Sequence, residues 1–266
     1  MKASNLILAF LLFSFFQVSA QVTAENEETV AYYIQDLFLG EAISISNITV
    51  NGMPGETLNN QVGSFLNNGG YLPLSSGVVL STGGVVGEDF GGGSVIFGES
   101  TSIPVMTSFG GDADLEELSG ENINDVVSIE FDFVPAFQFL VYDYVFGSEE
   151  YPEYVNSFND AFGFFVSGPG IEGPYTAPSE FPMGSKNAAV LPGSSTAVTI
   201  NNVNNGNFLC IGSAPGPCMN CEYYVDNCDI DEQALDGMTT QLMVLETVIP
   251  GETYHIKLAI GDALDS

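Results

Sequence analysis

Residues 126–146 read VVSIEFDFVPAFQFLVYDYVF, and this stretch decides the fold class. In its first half Val127, Ile129, Phe131 and Phe133 alternate with Ser128, Glu130 and Asp132. Successive side chains of a strand point to opposite faces, so a period of two predicts a half-buried strand. Beyond Pro135, the run 137–146 is apolar on both faces, which predicts a central strand covered on both sides. Further short runs at 77–81, 161–167, 197–200, 239–248 and 253–260 are separated by Gly, Pro and Asn clusters. Strands of this length and punctuation predict a mostly β chain, an antiparallel β-sandwich or jelly-roll-like fold.

Upstream the period changes. Val30, Tyr33, Ile34, Leu37 and Phe38 follow helical spacing with Gly40 placed as a stop, so one short N-terminal helix is expected. Ile43, Ile45 and residues 48–50 return to strand spacing, and a turn follows at 52–55. Asn201–Asn202 and Asn204–Asn205–Gly206 read as a turn whose residues tolerate left-handed backbone. The glycine-rich stretch 91–94 lacks a following Lys-Ser/Thr, which excludes a phosphate-cradling loop.

The first 20 residues read as a secretory signal peptide: Lys2, an apolar core at 6–16, then the small-residue cleavage site Val18-Ser19-Ala20. The expected mature chain, 21–266, suits a single β domain, and no later run approaches the roughly 20 apolar residues of a membrane span. Without the leader, Lys186 and Lys257 are the only bases against 34 acids, and there is no arginine. Such a surface repels nucleic acid and anionic lipid, so neither nucleic-acid binding nor direct membrane insertion is expected.

Cys210, Cys218, Cys221 and Cys228 are even in number and close together, which in an exported chain points to disulfides. Zinc is the weaker alternative, because only Cys218 and Cys221 form a close pair. Three pairings remain open; Cys218–Cys221 nested inside Cys210–Cys228 is preferred. His255, the only histidine, falls in an alternation that puts it on the wetter face with Lys257, where an ordinary surface strand residue is expected rather than a catalytic one.

The acid-rich turn between two strands, residues 145–170 (VFGSEEYPEYVNSFNDAFGFFVSGPG), is the main candidate site, with a plain solvated or hydrogen-bonded structural loop as the ordinary reading beside metal and catalytic acid. Glu149, Glu150, Asn159 and Asp160 offer the hard oxygens that calcium takes, with Asp262 or Asp265 as contributors from the last turn. No EF-hand spacing is present, so such ligands must converge from separate loops. The same acids, with Glu153, also provide the carboxylate pair of a glycoside hydrolase. Trp is absent, leaving Tyr151, Tyr154, Tyr223 and Tyr224 as the aromatic platforms a glycan cleft needs. A second acidic run, Asp112, Asp114, Glu116 and Glu117, reads as a solvated loop.

The SEEY and FND motifs of that turn (Ser148 to Tyr151, Phe158 to Asp160) resemble the choice-of-anchor L domain of secreted bacterial surface proteins. The resemblance extends to Leu39-Gly40, Asn47-Ile48-Thr49-Val50-Asn51-Gly52, residues 77–83, Gly111-Asp112-Ala113-Asp114-Leu115 and residues 254–260, nearly the whole mature chain. It implies an extracellular, cell-surface module of Bacteroidetes-type bacteria, carried at the front of larger proteins. The family pattern continues past Ser266, so the expectation is a C-terminally truncated sequence whose anchor or sorting domain lies beyond it. The expected function is a non-catalytic adhesion or ligand-binding module taking an extracellular glycan or protein, stabilised by Ca2+. The competing expectation is a carbohydrate-active enzyme using Glu149 or Glu150 with Asp160.

Overall fold

In a computed structural model that describes residues 22–39, 43–69, 72–86, 110–210, 213–228 and 235–264, the alternation at 126–134 becomes the middle of a long antiparallel sheet. The signal-peptide reading at 1–20, the loop at 91–94, Gly40 and Asp265 lie outside the described residues. The strands are β1 (Val22–Glu25), β2 (Ser44–Val50), β3 (Met53–Pro54), β4 (Val62–Asn67), β5 (Ser76–Leu80), β6 (Ile123–Val134) and β7 (Phe139–Tyr144). They continue as β8 (Gly147–Ser148), β9 (Ala161–Ser167), β10 (Lys186–Asn187), β11 (Tyr224–Asp226), β12 (Gly237–Thr239), β13 (Leu242–Thr247) and β14 (Tyr254–Ala263). The chain is mostly β, and its strand pairs are antiparallel.

Six strands, in the order β10-β9-β14-β6-β2-β3, form the main sheet. Register aligns Phe133 with Tyr254, Phe131 with Ile256 and Ile129 with Leu258, and then Ile256 with Val166 and Leu258 with Phe164. One face of the sheet is therefore a continuous apolar layer, and these side chains are buried in the largest core cluster. The two-stranded sheet β13-β7 covers it, directing Leu140 and Val244 into the same core. Two smaller sheets, β1-β4-β5 and β11-β12-β8, hold the other strands of the described residues.

Four expectations change here, at 137–146, 197–200, the N-terminal helical stripe and 112–117. The run 137–146 is not central: among the described residues β7 pairs only with β13, and Phe139 and Val141 are about half exposed. Its second apolar face is an open surface, which the residue pattern cannot distinguish from a second buried one. Residues 197–200 form isolated bridges, Val190 with Ala197 and Ala161 with Thr199, rather than a strand. The N-terminal helix exists, as α1 (Val30–Tyr32) running into a π-helical segment, Tyr33–Leu39. Thr29 caps it by accepting from Tyr32 N, and Val30, Tyr33 and Ile34 are buried, but Leu37 is exposed. Wider π winding rotates the later side chains off the expected stripe, leaving Phe38 to stack on Tyr142 at 4.3 Å between centroids.

The acidic run at 112–117 is a helix rather than a solvated loop. Asp112 Oδ1 accepts from the backbone N–H groups of Asp114 and Leu115, capping α2 (Ala113–Ser119). Gly120, at φ +76°, ends it in the left-handed conformation that favours glycine. Leu115 is fully buried with Val126, Phe165 and Ala259, so α2 forms a third layer on the far face of the main sheet.

Candidate functional site

The acid-rich turn leaves β8 and is pinned from beneath. Tyr151 is fully buried, and its hydroxyl donates to Val203 O at 2.6 Å. Ser148 Oγ donates to Asp160 Oδ2 at 2.9 Å and accepts from Glu150 N at 3.0 Å. Asp160 Oδ1 accepts from Ala263 N at 3.0 Å, which brings the end of β14 to the turn. Asn159 Nδ2 donates to Ser119 O at 2.7 Å, and Asn159 Oδ1 accepts from Asn201 N at 2.9 Å. Asn159 and Asp160 are thus buried ties between the turn, the end of α2, the 201 turn and β14. Glu149 is exposed, whereas Glu150 and Asp262 are half-buried. Of the tyrosines, Tyr151 is buried against Tyr224 at 5.1 Å between centroids, while Tyr154 is about half exposed.

On the other side of the turn lies a carboxylate group that sequence reading missed in part. Burial pushes the Asp236 carboxyl up to about 6, helped by the negative charges of Glu153, Glu149 and Asp226. An oxygen of Glu153, an oxygen of Asp236 and the Cys210 sulfur lie within 4.8 Å of one another. That sulfur is bonded to Cys228 and offers no thiolate; the Cys210 N–H instead donates to Glu153 Oε1 at 3.0 Å. Cys218 and Cys221 form the second disulfide. Glu153 was within reach of the sequence as part of the acid turn. Asp226 and Asp236 join it only because β11 pairs with β12.

The far face of the main sheet carries the charged ladder that alternation predicts, but it is covered. His255 is buried rather than at the surface: its Nδ1 bonds Asp132 Oδ1 at 2.8 Å, its Nε2 bonds Glu130 Oε2 at 3.2 Å, and Phe181 lies over it. Burial alone lowers the His255 pKa, yet the bonds to Glu130 and Asp132 outweigh it and hold the imidazole above its ordinary value. Lys257 Nζ sits between Asp112 Oδ2 at 2.6 Å and Asp114 Oδ2 at 2.7 Å.

The remaining feature is apolar. On the outer face of β7 and β13, Val141 stands opposite Leu245, Phe139 opposite Thr247 and Asp143 opposite Met243. Phe137 and Ile249 extend the row, where Val248 N donates to Gln138 O. Phe137, Phe139, Val141, Met243, Leu245 and Ile249 are each at least 50% exposed. Together they present on the order of a few hundred Å2 of apolar surface, about the size of the largest patch on an ordinary monomer. Isolated exposed apolar residues need no explanation, but a row on one sheet face does.

The family model described as Choice-of-anchor L domain matches residues 21–266. Neither the curated proteins nor the solved structures contain a match to this chain.

Proposed function

The chain belongs to the choice-of-anchor L domain family, a surface-associated extracellular module, and on that premise we propose that it is a non-catalytic adhesion module. Its ligand is an extracellular protein with a basic rim, bound on the outer face of β7 and β13. The exposed row Phe139, Val141, Met243 and Leu245 is the observation that carries this reading. Aromatic and aliphatic side chains around a face's centre supply most binding energy, while charges around it select the partner. The whole chain carries a formal charge of −31, and Asp143 lies within the face, so a basic rim complements it and a second copy is repelled.

Calcium is a further part of this proposal, as a stabiliser rather than a catalyst. The crowding of Glu149, Glu153 and Asp226 around Asp236 supports it, because a cation there relieves like-charge repulsion. The glycoside hydrolase reading draws no such support: Asp160 is engaged as an acceptor from Ser148 and from Ala263 N.

An array of purified extracellular proteins, spanning basic and acidic isoelectric points, tests the proposal at about 0.15 M salt. The expected result is retention of basic partners that falls at least tenfold in the variant Phe139→Thr/Val141→Thr/Leu245→Thr. Equal retention by the variant overturns the reading, as does polysaccharide turnover that Glu150→Gln abolishes.

A further inference from the structure

On the side of the main sheet away from β7 and β13, a cleft of about 240 Å3 opens between the strands and the segment Thr176, Ala177 and Pro178. Register places Ser167 beside His255, and Phe165 and Glu130 on either side of Lys257. All five residues line the cleft. Their surroundings already hold one ammonium group: Lys257 Nζ, bracketed by Asp112 and Asp114, lies 5.1 Å from the centre of the Phe165 ring. Among the described residues Asp112, Asp114, Glu130 and Asp132 face two bases, His255 and Lys257, so negative charge is in excess around the cleft even with His255 protonated.

An independent observation points to a ligand. Ser167 is fully buried, and its Oγ has no hydrogen-bond partner among the described residues. A buried hydroxyl left in that state is unfavourable and calls for a partner, an ordered water or a bound polar group. Beside it Glu130 is 39% exposed, with Oε2 on His255, so its carboxylate reaches the opening. Ala177 and Pro178 supply an apolar wall.

We infer that this cleft binds a small primary alkylammonium group, which donates to the Glu130 carboxylate and Ser167 Oγ and lays its methylene stem against Ala177 and Pro178. A cationic head on a short apolar stem suits a partly apolar cleft beside an aromatic ring, where Glu130 is the one acid in the lining among the described residues and the acids bound to His255 and Lys257 stand behind it. The site is independent of the adhesion face, since it lies on the other side of the main sheet.

Titration of the isotope-labelled chain with n-butylammonium, followed by amide NMR, tests the inference, with n-butanol and butyrate as controls of matching stem. The expected result is saturable shifts at Ser167, His255 and Lys257 with the ammonium alone. Affinity should fall about tenfold in Glu130→Gln and severalfold in Ser167→Ala, a substitution that removes no hydrogen bond seen among the described residues. Nα-acetyl-lysine amide serves as a second probe: binding like that of butylammonium identifies a lysine side chain as an acceptable source, and its failure restricts the site to free amines. Equal shifts with n-butanol, shifts that do not saturate, or unchanged affinity in both variants overturns the inference. If either variant fails to fold, the preference of the wild type for ammonium over alcohol decides.

Discussion

Lys257 Nζ lies 2.6 Å from Asp112 Oδ2, so the central strand β14 holds the capping residue of α2 directly. One carboxylate performs two tasks: Oδ1 accepts from the first turn of the helix, and Oδ2 neutralises a largely buried ammonium. Asp112→Ala removes both, and the expected loss is roughly 2–3 kcal/mol, of which about 1 is the cap. Asp112→Asn keeps the cap oxygen and should cost less. Urea denaturation of the two variants checks the order; equal losses contradict the double role.

Stability should rise on acidification from about pH 8 to pH 5, His255 acting in the upper part of that range and Asp236 in the lower. His255 titrates above its ordinary value in the folded chain, so its contribution is complete below about 6.5 and is lost as pH climbs through the raised value. Asp236, raised to about 6, opposes folding most when ionised; that penalty fades as pH falls through 6 toward 3.8. At lower pH the trend reverses. Hydrogen bonding to His255 lowers the Glu130 pKa, so its contribution is present above the ordinary 4.5 and lost as pH falls through the lowered value. Melting curves across this range should peak in mild acid, and His255→Gln with Asp236→Asn should flatten the alkaline side.

The two disulfides should differ in weight. Cys210–Cys228 closes a separation of 18 residues and Cys218–Cys221 one of 3. Loop-closure entropy then gives about 3 kcal/mol for the longer and roughly half that for the shorter. Replacing each pair by serine and measuring urea midpoints tests the difference. Removing Cys210–Cys228 also frees the loop whose Cys210 N–H holds Glu153.

A calcium stabiliser that binds only the folded chain adds about 2.7 kcal/mol at 100 times its dissociation constant. Melting temperature should therefore rise with added calcium and fall with EDTA, and Asp236→Asn should blunt both effects. No change on chelation of calcium-loaded protein eliminates the metal.

The main sheet is legible in the sequence because alternation at 127–133 and at 254–258 survives directly as register between β6 and β14. The family is legible too, from motifs spread along the chain. Long-range pairing is not. Asp226 and Asp236 meet Glu153 through β11 and β12, and nothing local marks them for each other. Charged residues at 112–117 read as solvated until Lys257, far along the chain, supplies their counter-charge. The run 137–146 misleads for a related reason: an open apolar face and a buried one have the same composition, and the pairing with β13 and the exposure show which this is.

The measurement that bears most directly on the proposed adhesion face is hydroxyl-radical footprinting of the chain, free and bound to the basic protein retained on the array. The account predicts that Phe139, Met243 and Leu245 are oxidised readily in the free chain and protected in the complex. Protection confined to other surfaces, or the same three side chains already shielded in the free chain, would contradict it.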